Sequence, residues 1–246
     1  MNHVISRDGT RIAVTRVDTG QPLVIVDGAF CSRDFGPSKK LAAALAPHFS
    51  VTTYDRRGRG ASDDPAAASF ADEVDDLKAV APSGAVLVGV SSGAALILEA
   101  VSRGLDARAL CLYEPPYVAH ETPDLLRKLE ELVAQNRRRD AAKFFLRDVT
   151  GVPSLVVALL PWTAGWKTNE AVAHTLPRDL ALSMKPIPTN IETPALVLGG
   201  SKSPQRLHEA VQRVATALPR STSRFIHGAT HDVPAVELVN ELRAFL

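Results

Sequence analysis

The sequence predicts an α/β fold: a mostly parallel, doubly wound sheet with helices on both faces. Three observations point to it. Apolar runs of five or six residues, such as Pro22–Val26 and Ala85–Val90, suit strands buried on both sides. Stretches with helical periodicity alternate with them, and the connections are short. The 246 residues are read as one domain, 1–246, with a helical segment at 115–190 inserted over the sheet.

The elements follow in order. Val4–Ser6 and Arg11–Val17 favour strands, and Asp8-Gly9 supplies the tight turn of a hairpin. Pro22–Asp27 is a buried strand that ends at Gly28. Lys39–Ala46 reads as a helix, Ser50–Asp55 as a strand and Phe70–Ala81 as a helix. Ala85–Val90 is a strand that leads straight into a helix at Ser92–Arg103, and Arg108–Tyr113 is the next strand. From Pro115 to about Pro188 the rhythm changes. Leu125–Gln135 and Ala141–Asp148 read as amphipathic helices, followed by several prolines, Trp162 and Trp166. The strand and helix alternation then resumes with Ala195–Leu198, Ser203–Leu218, Ser223–Ile226 and Val233–Leu246.

Composition narrows the function. Twenty-eight Lys and Arg against 27 Asp and Glu leave a formal charge of +1, without the basic surplus of a nucleic-acid binder. The N-terminal residues lack a signal-peptide core, and no stretch approaches the ~18 apolar residues of a membrane span, so a cytoplasmic protein without a membrane partner is expected. Cys31 and Cys111 are too few for a disulfide framework and show no metal-ligand spacing. They read as reduced, largely buried thiols, with a pocket-lining position open for Cys31.

The chemistry centres on Gly89-Val-Ser-Ser-Gly93, a G-x-S-x-G segment between an apolar strand and a helix. That context defines a nucleophile elbow, where a sharp turn presents the Ser91 hydroxyl and flanking glycines relieve the crowding. Ser91 is therefore the candidate nucleophile. His231, in the loop between the last strand and the last helix, is the candidate base, because that loop lies at the carboxyl end of the sheet. Of the other histidines, His227 reads as structural. His120 and His174 fall in the insertion, and His3, His48 and His208 read as surface residues. An oxyanion needs two backbone donors. The amide of Ser92 is one, and the loop Val26–Ser32 offers Phe30, with Ala29 the alternative.

Over essentially the whole chain these features resemble the α/β-hydrolase superfamily. Tyr54-Asp-Arg-Arg-Gly-Arg-Gly-Ala-Ser62 is similar to a segment that follows the family's fourth strand, and Thr230-His-Asp-Val233 is similar to its terminal motif. The resemblance implies a serine-nucleophile enzyme of the α/β-hydrolase fold with a helical lid, and a structural role for Tyr54–Ser62. One departure stands out. The family's acid usually follows the penultimate strand, but Leu198-Gly-Gly-Ser-Lys-Ser-Pro204 has none, and Glu209 falls inside a helix. Some members carry the acid one strand earlier, which here is Glu114. Glu114 is thus either the residue that orients His231 or a group that serves local backbone or an arginine; Asp232 is poorly placed beside His231.

The leading expectation is a hydrolase of a carboxylic ester, thioester or lactone that works through an acyl-enzyme without metal or cofactor. Lyases, cyclases and perhydrolases share the fold, and a ligand-binding member without turnover is the reading from outside catalysis. The partner implied is a small, uncharged, fairly apolar molecule. Phe144, Phe145, Leu155, Val156, Leu159, Trp162 and Trp166 are candidates for either the pocket wall or the packing of the insertion itself. Arg137–Arg139 reads as a solvated helix end, and no cationic cluster is legible facing Ser91. The sequence does not encode a recognisable oligomeric state.

Overall fold

A computed structural model describes residues 2–17, 20–118 and 123–246. Strands β1 (Asn2–Ile5) and β2 (Arg11–Val17) form the expected hairpin, with Ile5 opposite Arg11. Strands β3 (Gln21–Val26), β4 (Phe49–Tyr54), β5 (Ala85–Val90), β6 (Ala107–Tyr113), β7 (Ala195–Gly200) and β8 (Ser221–Ile226) follow. Among the described residues these form one eight-stranded sheet in the order β1-β2-β4-β3-β5-β6-β7-β8. Strands β3 to β8 pair in parallel, whereas β1 and β2 join antiparallel at the edge. The predicted sheet is therefore present, and its strands start or end within a few residues of the expected bounds.

The two-residue alternation of the strands builds a core on each face. On one face Val24, Val26, Leu87 and Leu112 pack against helices α2 (Phe70–Val80), α3 (Ser92–Ser102) and α9 (Gln205–Ala217). On the other, Leu23, Ile25, Val88 and Leu198 meet α1 (Ser38–Leu45) and α10 (Ala235–Phe245). Every residue of β5 is buried, which explains its unbroken apolar run. Helix α2 starts where Ser69 and Asp72 close a reciprocal capping box.

Between β6 and β7 lie α4 (Pro123–Ala134), α5 (Arg138–Phe144), α6 (Ser154–Leu159), α7 (Trp166–Val172) and α8 (Leu176–Ser183). Their shared core includes Leu129, Leu132, Phe145, Trp166, Leu176 and Leu180, and it reaches Phe30 on the sheet side. One expectation is corrected here. Ala141–Asp148 is not a single α-helix, because α5 widens after Phe144 into a π-turn over Phe145–Val149. The extra residue in that turn is a backbone choice that hydrophobic periodicity does not record. The basic run is also more engaged than expected, since Arg138 donates to the Ala171 carbonyl at 2.7 Å and Arg137 pairs with Asp140.

The sheet order reverses at β3. Chain passing from β3 to β4 moves one way, and β5 returns to the other side of β3. The carboxyl ends of β3 and β5 thus flank a crevice where doubly wound sheets place ligands. Residues 27–31 and 91–93 emerge there.

Candidate active site

Ser91 sits at the end of β5 with φ 52° and ψ −124°, outside the regions that residues with a side chain ordinarily occupy. The turn closes because its glycines permit contact. A Cβ on Gly89 would lie 2.6 Å from Ala94 Cα, and one on Gly93 would collide with the Val26 carbonyl. Strain is concentrated in this region: Phe30 (φ 65°), Ser91 and Glu114 (φ 47°) are three of the four non-glycine residues with positive φ among the described residues. Each costs about 1–3 kcal/mol and persists only where its surroundings fix it.

The surroundings do fix it. The Ser91 amide donates to the Tyr113 carbonyl at 2.9 Å, and the Glu114 amide donates to Leu198 at 2.8 Å, so both turns hang from neighbouring strands. Glu114 is fully buried. Its Oε1 accepts the Gly200 amide at 2.8 Å, and its Oε2 lies 2.6 Å from His231 Nδ1. Burial alone would raise this carboxyl, but the hydrogen bond to His231, the polar Ser203 beside it and the Gly200 amide outweigh burial and hold it below its ordinary value. The Tyr113 hydroxyl donates to the Thr230 carbonyl and ties the His231 loop to β6. The imidazole, half exposed, faces the crevice.

Ser91, Ser92, Phe30 and His231 all line one cavity of about 540 Å³ at the switch point. Ser92 opens α3, and an amide in that position has no acceptor within its own helix. The structure therefore brings together every predicted site residue: Ser91, His231, Glu114, Ser92 and Phe30. Ala29, the alternative donor, lines the cavity too, as does Cys31. Asp232 is exposed at the cavity edge, its amide bonded to Thr230 Oγ1, while Glu114 holds the imidazole nitrogen.

The other histidines lie elsewhere. His174 sits 2.9 Å from Asp64, and His3, His48 and His227 are exposed. His208 is not a free surface residue, because its ring bonds the Gly200 carbonyl at 2.8 Å and packs edge-on against Phe225. His120 lies outside the described residues. Of the aromatic and aliphatic candidates, Phe145 lines the cavity, and Trp166 is buried in the helical segment. Leu155, Val156, Leu159 and Trp162 do neither and are exposed on α6 and the turn after it.

Sequence reading missed the ionic layer behind the turn. Asp179 of α8 is fully buried; it accepts Ser92 Oγ at 2.6 Å, Arg56 Nη1 at 2.7 Å and Arg59 Nη2 at 2.6 Å. Burial opposes its ionisation, yet Arg59 and Arg56 keep its carboxyl below the ordinary range. The same arginines hold the opposite strand end, where Arg59 donates to the Gly28 carbonyl at 2.6 Å and Arg56 to that of Asp27 at 3.2 Å. The Tyr54–Ser62 segment is thus structural, as the resemblance implied, and its task is to lock the two loops that flank Ser91. An Asp179 in a helical stretch carries no local signature of this role.

Asp27 is buried with Oδ2 accepting Ser38 Oγ at 2.5 Å and Oδ1 lacking a partner. Burial pushes its carboxyl up to about 7, against the opposing pull of Ser38, Arg59 and Arg56. A carboxyl raised on folding favours the folded state at low pH, and that contribution is lost as pH rises through the raised value. The Tm difference Asp27→Asn minus wild type is thus expected to be more positive by several degrees at pH 8 than at pH 5. An equal difference at both values would mean that Asp27 does not titrate in this interval.

The geometry meets an independent comparison. A family model described as alpha/beta hydrolase family matches residues 23–241. The chain belongs to the α/β-hydrolase family. It is similar to an alpha/beta hydrolase from Sphaerobacter thermophilus DSM 20745, with 38% identity and a TM-score of 0.87 over 98% of this chain and 100% of that one. A thermophilic esterase from Thermogutta terrifontis shares the fold at 20% identity and a TM-score of 0.76, covering 99% of this chain and 96% of the esterase. The enol-lactonase from Burkholderia xenovorans LB400 does so at 17% identity and a TM-score of 0.76, over 99% of both chains. No curated protein matches the sequence. Among the described residues no helix is long and apolar enough to cross a membrane.

Proposed function

We propose that this chain is a serine hydrolase that cleaves a carboxylic ester, thioester or lactone of a small, fairly apolar molecule. The observation that carries the reading is the buried Glu114 carboxylate held 2.6 Å from His231 Nδ1, with His231 and Ser91 on one cavity. A carboxylate on Nδ1 selects the tautomer whose Nε2 is free to accept a proton. In the proposed reaction Ser91 Oγ attacks the carbonyl carbon as its proton passes to His231 Nε2. The oxyanion receives the amide hydrogens of Ser92 and Phe30. The intermediate collapses, and the leaving alcohol or thiol takes the proton from His231. Water then enters, gives its proton to His231 and attacks the acyl-serine, and the acid departs as Ser91 recovers its proton.

The cavity lining supports an apolar substrate body, with Val90, Pro116, Val118, Phe145, Leu146 and Val149 among the walls. The segment 115–190 acts as the lid that shapes this wall, since the π-turn at Phe145–Val149 presents three of those residues. Two unpaired cysteines, Cys31 and Cys111, suit a reducing cytoplasm. Burial pushes the Cys31 thiol up to about 12, so it is not a competing nucleophile.

A fluorophosphonate probe tests the reading. Wild type is expected to take up one phosphonyl group, mapped by peptide mass spectrometry to Ser91, and to show a nitrophenolate burst with p-nitrophenyl acetate. An unlabelled Ser91 and no burst would turn attention to chemistry in which His231 acts without a covalent intermediate.

A further inference from the structure

The cavity lining carries one cation among the described residues, beside the aliphatic wall. Arg206, in the first turn of α9, is the sole lysine or arginine among the described residues that line the cavity. Its guanidinium lies against the backbone of Val149, Thr150 and Gly151, and Val149, Val152, Pro153 and Leu207 line the same cavity. The other arginines near the site each meet a carboxylate: Arg33 with Asp55, Arg56 with Glu73 and Asp179, Arg57 with Asp76, Arg59 with Asp179, and Arg178 with Glu73. Among the described residues Arg206 meets none. Its guanidinium donates only to the backbone carbonyls of Val149, at 3.5 Å, and Thr150.

A guanidinium has five N–H groups in a planar fork that matches a carboxylate, and two neutral carbonyls leave its charge uncompensated. A half-buried cation in an apolar wall is a poor choice for closing a pocket around a neutral molecule. It is a good choice for an anionic end of the substrate. The first amides of α9 have no side-chain cap, which adds a favourable field for an anion at the same place. The other two charged side chains among the described lining residues do not cancel this. Asp179 is already neutralised by Arg56 and Arg59, and Asp232 is exposed to solvent beside His231.

We infer that Arg206 binds a carboxylate on the substrate, so that the preferred substrate is a half-ester or lactone of a dicarboxylic acid with an apolar body between its two ends. This rests on the hydrolase reading above and names its substrate class.

The test compares p-nitrophenyl butyrate with the mono-p-nitrophenyl esters of glutaric and adipic acid, which share one leaving group. In wild type the better acid-bearing ester is expected to exceed the butyrate in kcat/KM. In Arg206→Met that acid-to-neutral ratio falls by about 10- to 100-fold, the value of a charge-assisted hydrogen bond, chiefly through KM. Arg206→Lys recovers part of it. The inference is overturned if the ratio is the same in Arg206→Met as in wild type, including the case where all esters slow together. Arg206 is then only a strap that holds residues 149–150 against α9. Glutarate binding gives a readout independent of turnover: it is expected to raise the Tm of wild type and not of Arg206→Met. If no ester is cleaved and Ser91 takes no phosphonate, the hydrolase reading fails. The glutarate shift then decides Arg206 by itself.

Discussion

Replacing Ser91 with alanine is expected to lower kcat for p-nitrophenyl acetate by about 10⁴- to 10⁶-fold, with His231→Ala close behind and the double variant no worse than the poorer single one. The prediction follows from the shared step. In the proposed reaction Ser91 supplies the attacking oxygen and His231 takes its proton, so either loss would remove the same covalent route, and their effects would not add. The fold should survive both changes. Ser91 makes no side-chain cap to α3, and the imidazole is half exposed. Alanine at 91 must still adopt φ 52°, so the backbone strain is unchanged and stability should shift little. Residual activity above the water rate is expected in Ser91→Ala, because the Ser92 and Phe30 amides proposed to hold the oxyanion remain. Steady-state kinetics with the phosphonate-labelling control measure all of this. Additive losses in the double variant would mean that Ser91 and His231 act in separate steps.

Parts of this site were legible in the sequence because their cause is local. Gly89 and Gly93 announce a crowded turn, and the apolar run before them fixes which strand carries it. Glu114 was legible through a departure and a resemblance together: residues 198–204 hold no acid, and some members of the family carry it one strand earlier, at the end of β6. Its pairing with Gly200 and His231 depends on the order β6-β7-β8, which no window of sequence contains. Asp179 and Arg206 were not legible for the same reason. Each acts across more than fifty residues of chain, and each sits in a helix whose pattern explains it as an ordinary polar position. The fate of α6 was misjudged in another way. Apolar side chains at helical spacing signal a face, yet spacing does not say whether anything covers that face; Leu155 and Trp162 remain about three-quarters exposed.

Glu114→Gln separates charge from shape at the acid position and should lower kcat by about 10³- to 10⁴-fold while KM changes little. Glutamine can keep the Gly200 hydrogen bond through its oxygen. Its amide nitrogen then faces His231 Nδ1 and donates where the carboxylate accepted. The imidazole answers by placing its proton on Nε2, the nitrogen that accepts from Ser91 in the proposed reaction. The base is thus disabled by its tautomer with hardly any atom displaced. Glu114→Asp, which keeps the charge on a shorter arm, should recover part of the rate. Stability gives a second readout with a definite sign. The Glu114 carboxyl is lowered from 4.5 on folding, so its ionised form favours the folded state above that value and the benefit is lost as pH falls. The stability deficit of Glu114→Gln should therefore be present at pH 7 and shrink towards pH 3 in urea titrations. A variant that keeps kcat within tenfold of wild type would place the orienting carboxylate elsewhere. Asp232 would then be the next position to replace, because among the described residues it alone of the remaining acids lines the cavity without an arginine partner.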